Sequence, residues 1–129
     1  MTAFLTEDWL TEAAAAFTVL PDRPGIDADV QYVVSGAPGG KVQVRATVRS
    51  GRITELAVGK HDDPDCTVTL SYADAVALFL GELGPEVAFM SGRVKIEGDH
   101  RIWLLDMRPI RSDDAMGAAL NALRAMSTT

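Results

Sequence analysis

Val42, Val44, Ala46 and Val48 alternate with Gln43, Arg45, Thr47 and Arg49, and the run ends at Ser50-Gly51. Side chains that change character every second residue describe a strand with one face on a core and the other on water. Ser50-Gly51 supplies a tight turn, and Ile53 to Val58 follows as the hairpin partner. Before it, Val30-Gln31-Tyr32-Val33-Val34 is a β-rich run ended by Ser35-Gly36-Ala37-Pro38-Gly39-Gly40, a stretch with enough Gly and Pro to be only a turn or loop. Cys66, Val68 and Leu70 alternate with Thr67 and Thr69 to make a fourth strand. In Arg93-Val94-Lys95-Ile96-Glu97, a fifth, Val94 and Ile96 face the core. Hairpin-length connections dominate the first four strands, which predicts a mainly antiparallel sheet with Val44 and Val48 turned inward and helices packed on one face, an α+β arrangement.

The helices follow from a second period. Leu5, Trp9, Ala13, Phe17 and Leu20 recur at three- and four-residue intervals, so Thr6 to Leu20 is expected to be helical, with Glu7 and Asp8 complementing its N-terminal dipole. Ser71-x-x-Asp74 is close to a capping box and opens a helix that Gly81 ends. Gly84-Pro85 opens a short helix closed by Phe89 and Met90, with Gly92 just beyond its last turn in a left-handed conformation. Asp99 can cap a further helical run containing Ile102-Trp103-Leu104-Leu105, and Pro109 is expected to break the chain after it. Ser112-Asp113-Asp114 caps a last helix with Met116, Leu120 and Leu123 in a narrow apolar stripe, flanked by Ala118, Ala119 and Ala122. The Ser71 to Gly81, Pro85 to Ser91 and Ser112 to Met126 helices are expected on one side of the sheet.

Composition bounds the function. A chain of 129 residues holds one domain with a real core, expected here over residues 1–129, and 47% hydrophobic with 23% charged residues is a globular balance. A net charge of −6 and a pI near 4.7 work against nucleic acid and against anionic membrane surfaces, since both reward clustered Lys and Arg. Glu7 and Asp8 stand where a signal peptide needs basic residues and an apolar run, and no stretch is long enough to span a bilayer, so stable membrane insertion is not expected and a cytoplasmic location is. The single Cys66 reads as a small buried hydrophobe.

No catalytic constellation emerges. His61, Asp62, Asp63 and Asp65 crowd one loop, but their spacing fits no calcium loop, and a polar turn set by Pro64 and the Asp side chains is the simpler account. His100 has no second catalytic group beside it and reads as a solvated first-turn histidine. Lys41, Arg45 and Arg49 share the outer sheet face, where alternating charge is ordinary. No enzyme, metal or cofactor is expected.

Three blocks carry a resemblance. Asp65-Cys66-Thr67-Val68-Thr69-Leu70-Ser71, then Gly81-Glu82-Leu83-Gly84-Pro85-Glu86, then Ala88-Phe89-Met90-Ser91-Gly92 leading into the basic strand and the Gly98-Asp99 exit, resemble in order and spacing the sterol carrier protein 2 family. The resemblance runs from about Asp29 to the C-terminal helix. It implies a sterol-carrier-protein-like fold around an apolar tunnel between the sheet and the later helices, where lipids such as sterols or fatty acyl groups bind. Members that shuttle lipid in eukaryotes are typically basic and many end in Ser-Lys-Leu, whereas this chain is acidic and ends Ser127-Thr128-Thr129, a pattern closer to a bacterial, stand-alone relative.

On periodicity alone, the apolar excess of the later segments reads as ordinary core; the resemblance turns the same residues into the lining of a cavity. The ligand-binding residues expected on that ground are Val76, Phe79, Leu80, Phe89, Met90, Ile102, Trp103, Met116 and Leu120. The partner is then a lipid or other apolar small molecule, bound without catalysis and open to transfer. The alternative is an accessory or homodimerisation module with a filled core. The last helix is expected to close one end of the cavity and to be the easiest element to open.

Overall fold

A computed structural model describes residues 1–129. Five strands form the main sheet: β2 (Ala28–Ala37), β3 (Gly40–Arg49), β4 (Arg52–Val58), β5 (Cys66–Ser71) and β6 (Val94–Gly98), in the spatial order β4-β3-β2-β5-β6. Three neighbouring pairs are antiparallel and one, β2 with β5, is parallel. The parallel pair arises because β4 turns away at the far edge and the chain returns across the sheet to lay β5 beside β2. A two-residue β1 (Thr2–Ala3) pairs in parallel with β7 (Ser127–Thr128) and forms a small second sheet from the two ends of the chain.

The alternation sets the faces as expected. Val44 and Val48 are buried, as are Val30, Val34, Cys66, Val68 and Leu70. On the outer face Arg45 pairs with Glu55 at 2.9 Å, and Arg49, at the strand end, pairs with Asp29 at 2.9 Å, so this charge is a solvated sheet surface. The first hairpin is tighter than the sequence suggests. Strand pairing continues through a bulge to Ala37 opposite Gly40, leaving only Pro38-Gly39 as the turn, because Gly36 and Gly40 take positive φ and let the ladder bend instead of breaking.

Helix α1 (Glu7–Ala16) begins at Thr6, whose side chain accepts from the Trp9 N–H at 3.3 Å, and passes into a 3₁₀ turn over Phe17–Val19. Helix α2 (Tyr72–Phe79) is capped by the Ser71 hydroxyl. The short α3 (Pro85–Met90) ends in a Schellman arrangement, with Arg93 N donating to Ala88 O at 2.9 Å and Gly92 N to Phe89 O at 3.2 Å. Gly92 has φ +78°, and a side chain there would meet nothing within 4 Å. Any cost of substitution is therefore backbone strain. Gly92→Val is expected to lose roughly 1–2 kcal/mol of stability, with Gly92→Asn losing less; equal melting midpoints for Gly92→Val and the parent would refute this account.

Pro109 does not break the chain. Its ring would collide with the Leu105 carbonyl in an unbroken α-helix, and it has no N–H to donate. The chain absorbs this by widening to a π turn over Ile102–Asp106, where Met107 N donates to Ile102 O at 3.1 Å, and it continues as α4 (Arg108–Arg111). The last helix, α5 (Asp114–Met126), is capped by Asp113, whose carboxylate accepts from Ala115 N at 2.8 Å and from Arg23 at 2.6 Å.

Candidate functional site

Between the inner sheet face and the helices lies a cavity of about 500 Å³, within the range of small-molecule sites. The sheet contributes Tyr32 and Val34 from β2, Val44, Ala46 and Val48 from β3, Ile53 and Leu56 from β4, and Leu70 from β5. Alternation puts these positions on one side of β2, β3 and β5, and a bulge in β4 between Ile53 and Glu55 brings Ile53 and Leu56 to the same side, opposite Val48 and Ala46. Across from them stand Trp9, Leu10 and Phe17 from the first helical segment, Ala75, Leu78 and Phe79 from α2, and Met116 and Leu120 from α5. One wall is aromatic: Phe4 stacks on Phe79 at 4.8 Å, and Trp9 meets both edge-on at 4.8 and 5.3 Å.

Of the residues expected to bind ligand, Phe79, Trp103, Met116 and Leu120 lie on this cavity. Phe89 and Met90 do not. They face a separate outer depression with Glu86, His100, Arg101, Leu104 and Leu105, where Phe89 stacks on the exposed His100 ring at 5.7 Å and Met90 is 85% exposed. Val76, Leu80 and Ile102 line neither space: α2 turns its Ala75, Leu78 and Phe79 side inward, which carries Val76 to the flank and Leu80 to the surface. In the π turn Trp103 faces the cavity and Ile102 sits beside it. A block of apolar letters does not say which of them point one way.

The first helix was legible as an amphipathic stripe, but nothing in its spacing separates packing from lining. Leu5, Trp9 and Phe17 of that stripe border the cavity, while Ala13 and Leu20 are buried away from it.

The polar groups on the wall come from two residues the sequence did not mark. Tyr32 projects inward from β2, and its hydroxyl oxygen accepts from Trp103 Nε1 at 3.0 Å. Arg111, at the end of α4, lays its guanidinium over the Trp103 ring, 4.5 Å from the centroid. Burial pushes the Tyr32 phenol up and pulls the Arg111 guanidinium down from their ordinary values. Tyr32 thus stays a neutral hydroxyl, and Arg111, whose charge no protein environment removes, stays a cation.

The remaining titratable candidates are built into the frame. The Asp65 carboxylate accepts from Asp29 N at 2.7 Å, His61 N donates to Gln31 Oε1 at 2.6 Å, and no three His, Cys, Asp or Glu side chains cluster as metal ligands would. Cys66 is buried in β5 and its thiol is pushed up to about 11, first by burial and then by Asp65 and Asp99, so it is a packed thiol and not a nucleophile.

The α5 helix is held more firmly than its small residues suggest. Trp9 Nε1 donates to Ser127 Oγ at 2.7 Å, Arg124 Nε donates to Phe79 O at 2.7 Å, and Arg23 holds Asp113 at the other end. With β7 paired to β1, both ends of this helix are tied to other parts of the domain.

A mixed, mostly antiparallel sheet and a helical layer with an apolar cavity between them define an α+β domain. The chain belongs to the SCP-2 sterol transfer family, whose model matches residues 15–104, so the three sequence blocks resembled the family they come from. It is 33% identical over 69 residues to sterol carrier protein 2 of Gallus gallus, a match that covers 53% of this chain but 12% of that protein's length. A crystal structure of sterol carrier protein 2 has the same fold, with a TM-score of 0.68 and 15% identity over 94% of this chain and 97% of the other. So has the solution structure of palmitated SCP2L2 from Aedes aegypti, with a TM-score of 0.63 and 21% identity over 83% and 95% of the two chains. No helix is long and apolar enough to cross a membrane.

Proposed function

We propose that residues 1–129 act as one non-catalytic unit that binds a lipid or similar apolar molecule in the cavity between sheet and helices. The observation that carries this reading is a partly open cavity of about 500 Å³ whose lining is almost entirely apolar. A packed interior leaves few spaces larger than a water molecule, and an empty apolar void forfeits contacts all round its lining. A ligand restores them. Each methylene it buries contributes about 0.8 kcal/mol, so an acyl chain needs little polar recognition to bind. Family membership supports lipid binding or transfer in general, and the palmitate named for the Aedes aegypti relative is a ligand of suitable shape. An accessory module with a filled core fits a void of this size poorly.

Native mass spectrometry and solvent extraction of freshly purified protein test the reading. A co-purifying lipid, or saturable binding of a fluorescent fatty acid that is lost in Ala46→Phe, is the expected result, since Ala46 lines the cavity from β3. No extractable lipid, together with the same probe binding in the parent and Ala46→Phe, would overturn it.

A further inference from the structure

We infer that Arg111, Tyr32 and Trp103 form an anion-anchoring site in the cavity wall, so that the cavity selects a long-chain carboxylate over a neutral lipid of the same length. The inference rests on the cavity being a lipid site and adds the chemistry of the headgroup.

The cation is unpaired. Nη1 of Arg111 is buried without a hydrogen-bond partner, and no carboxylate lies within ion-pair distance of its guanidinium. The acidic side chain whose charge it feels, Glu86, is already engaged by Arg108, with Nε and Nη2 each 2.9 Å from the same Glu86 oxygen. A half-buried charge with no counter-ion loses part of its hydration without repayment, and a guanidinium cannot shed its proton to escape the cost. An apolar cavity has no evident use for such a group unless the occupant brings the opposite charge.

The neighbours complete the site. Trp103 spends its single N–H on the Tyr32 oxygen and offers its ring face to Arg111, so one residue fixes the position of both polar groups. The Tyr32 hydroxyl accepts from Trp103 and donates to nothing in the protein, which leaves its O–H free for a ligand. A carboxylate at this wall would accept from Arg111 Nη1 and from Tyr32, two donors and a full positive charge beside an apolar lining. A neutral alcohol or sterol gives the cation nothing in exchange, and the tail of either ligand finds the same apolar walls.

The test uses the delipidated full chain and displacement of a neutral fluorescent probe by hexadecanoate, hexadecanol and hexadecyl sulfate. The expected result is a preference of about tenfold or more for hexadecanoate over hexadecanol, the scale of a charge-assisted hydrogen bond. Arg111→Gln should bring that ratio near one by weakening hexadecanoate far more than hexadecanol. Arg111→Lys should keep most of the preference, and Tyr32→Phe should lose a smaller part of it. With hexadecanoate labelled by carbon-13 at its carboxyl, the bound carboxyl should titrate lower in the parent than in Arg111→Gln, a signature a merely structural arginine would not produce. Hexadecyl sulfate binding as tightly as hexadecanoate supports the anion site and shows that it reads charge more than carboxylate geometry. Equal affinity for hexadecanoate and hexadecanol in the parent, or an unchanged ratio in Arg111→Gln, overturns the inference and leaves the lipid cavity standing. Failure of all three ligands to displace the probe removes the cavity reading as well.

Discussion

Phe79→Ala is expected to destabilise the protein by about 3–5 kcal/mol, the range for removing a large buried ring. Phe79 is 8% exposed and sits where three parts of the chain meet: Phe4 stacks on it, Trp9 packs edge-on, and Arg124 reaches over its ring at 6.0 Å while bonding its carbonyl. Truncation removes the ring on which Phe4 stacks and which Trp9 meets edge-on, leaving those two to pack on each other beside a larger gap. Urea unfolding at constant slope would measure the loss, with Phe79→Leu as the milder control. A loss below about 1 kcal/mol would show that the aromatic wall is loosely packed.

A chain ending at Arg111 is expected to lose cooperative folding altogether. That truncation removes Met116, Leu120 and Leu123, each contributing on the order of 1.5–3 kcal/mol if fully buried, and their sum rivals the ~5–15 kcal/mol that keeps a domain folded. It also removes the Ser127 hydroxyl that satisfies Trp9, the Asp113 carboxylate that holds Arg23, and the β7 partner of β1. Circular dichroism in the near ultraviolet, heat capacity and dye binding would report the collapse of fixed packing. A sharp two-state transition in the truncated chain would mean that α5 is an independent lid after all.

The sheet was legible because alternation is a physical necessity of a one-sided sheet: Val44, Val48, Val68 and Val94 could not face water without exposing the whole inner surface. The helix ends were legible for a similar local reason, since Ser71, Gly81, Gly92 and Asp113 meet backbone needs that few other residues meet. The pairing of β2 with β5 was not, because parallel neighbours are joined through distant chain and leave no mark on either strand. The cavity was legible only as an excess of apolar residues. Which side of α2 turns inward depends on how the helix sits on the sheet, so Phe79 and Leu80 could not be told apart by composition. Tyr32 and Arg111 lie 79 positions apart in the numbering and meet only through Trp103; a tyrosine in a strand and an arginine before a serine carry no sign of that meeting. Trp9 and Ser127 are coupled in the same way, over 118 positions.

The π turn at Ile102–Asp106 makes the inner cation a matter of counting. A π turn holds one more residue than an α turn, so everything after it is displaced by one place, about 100° around the axis and 1.5 Å along it. Arg111 points to the ring of Trp103 under that displacement; an uninterrupted α register through the same residues would aim a neighbour there and turn the guanidinium elsewhere. In a related chain, the gain or loss of a single residue between Ile102 and Pro109 is expected to move that cation off the cavity wall, even where every apolar letter is kept. An alignment scored on similarity alone would pass over that gap as noise.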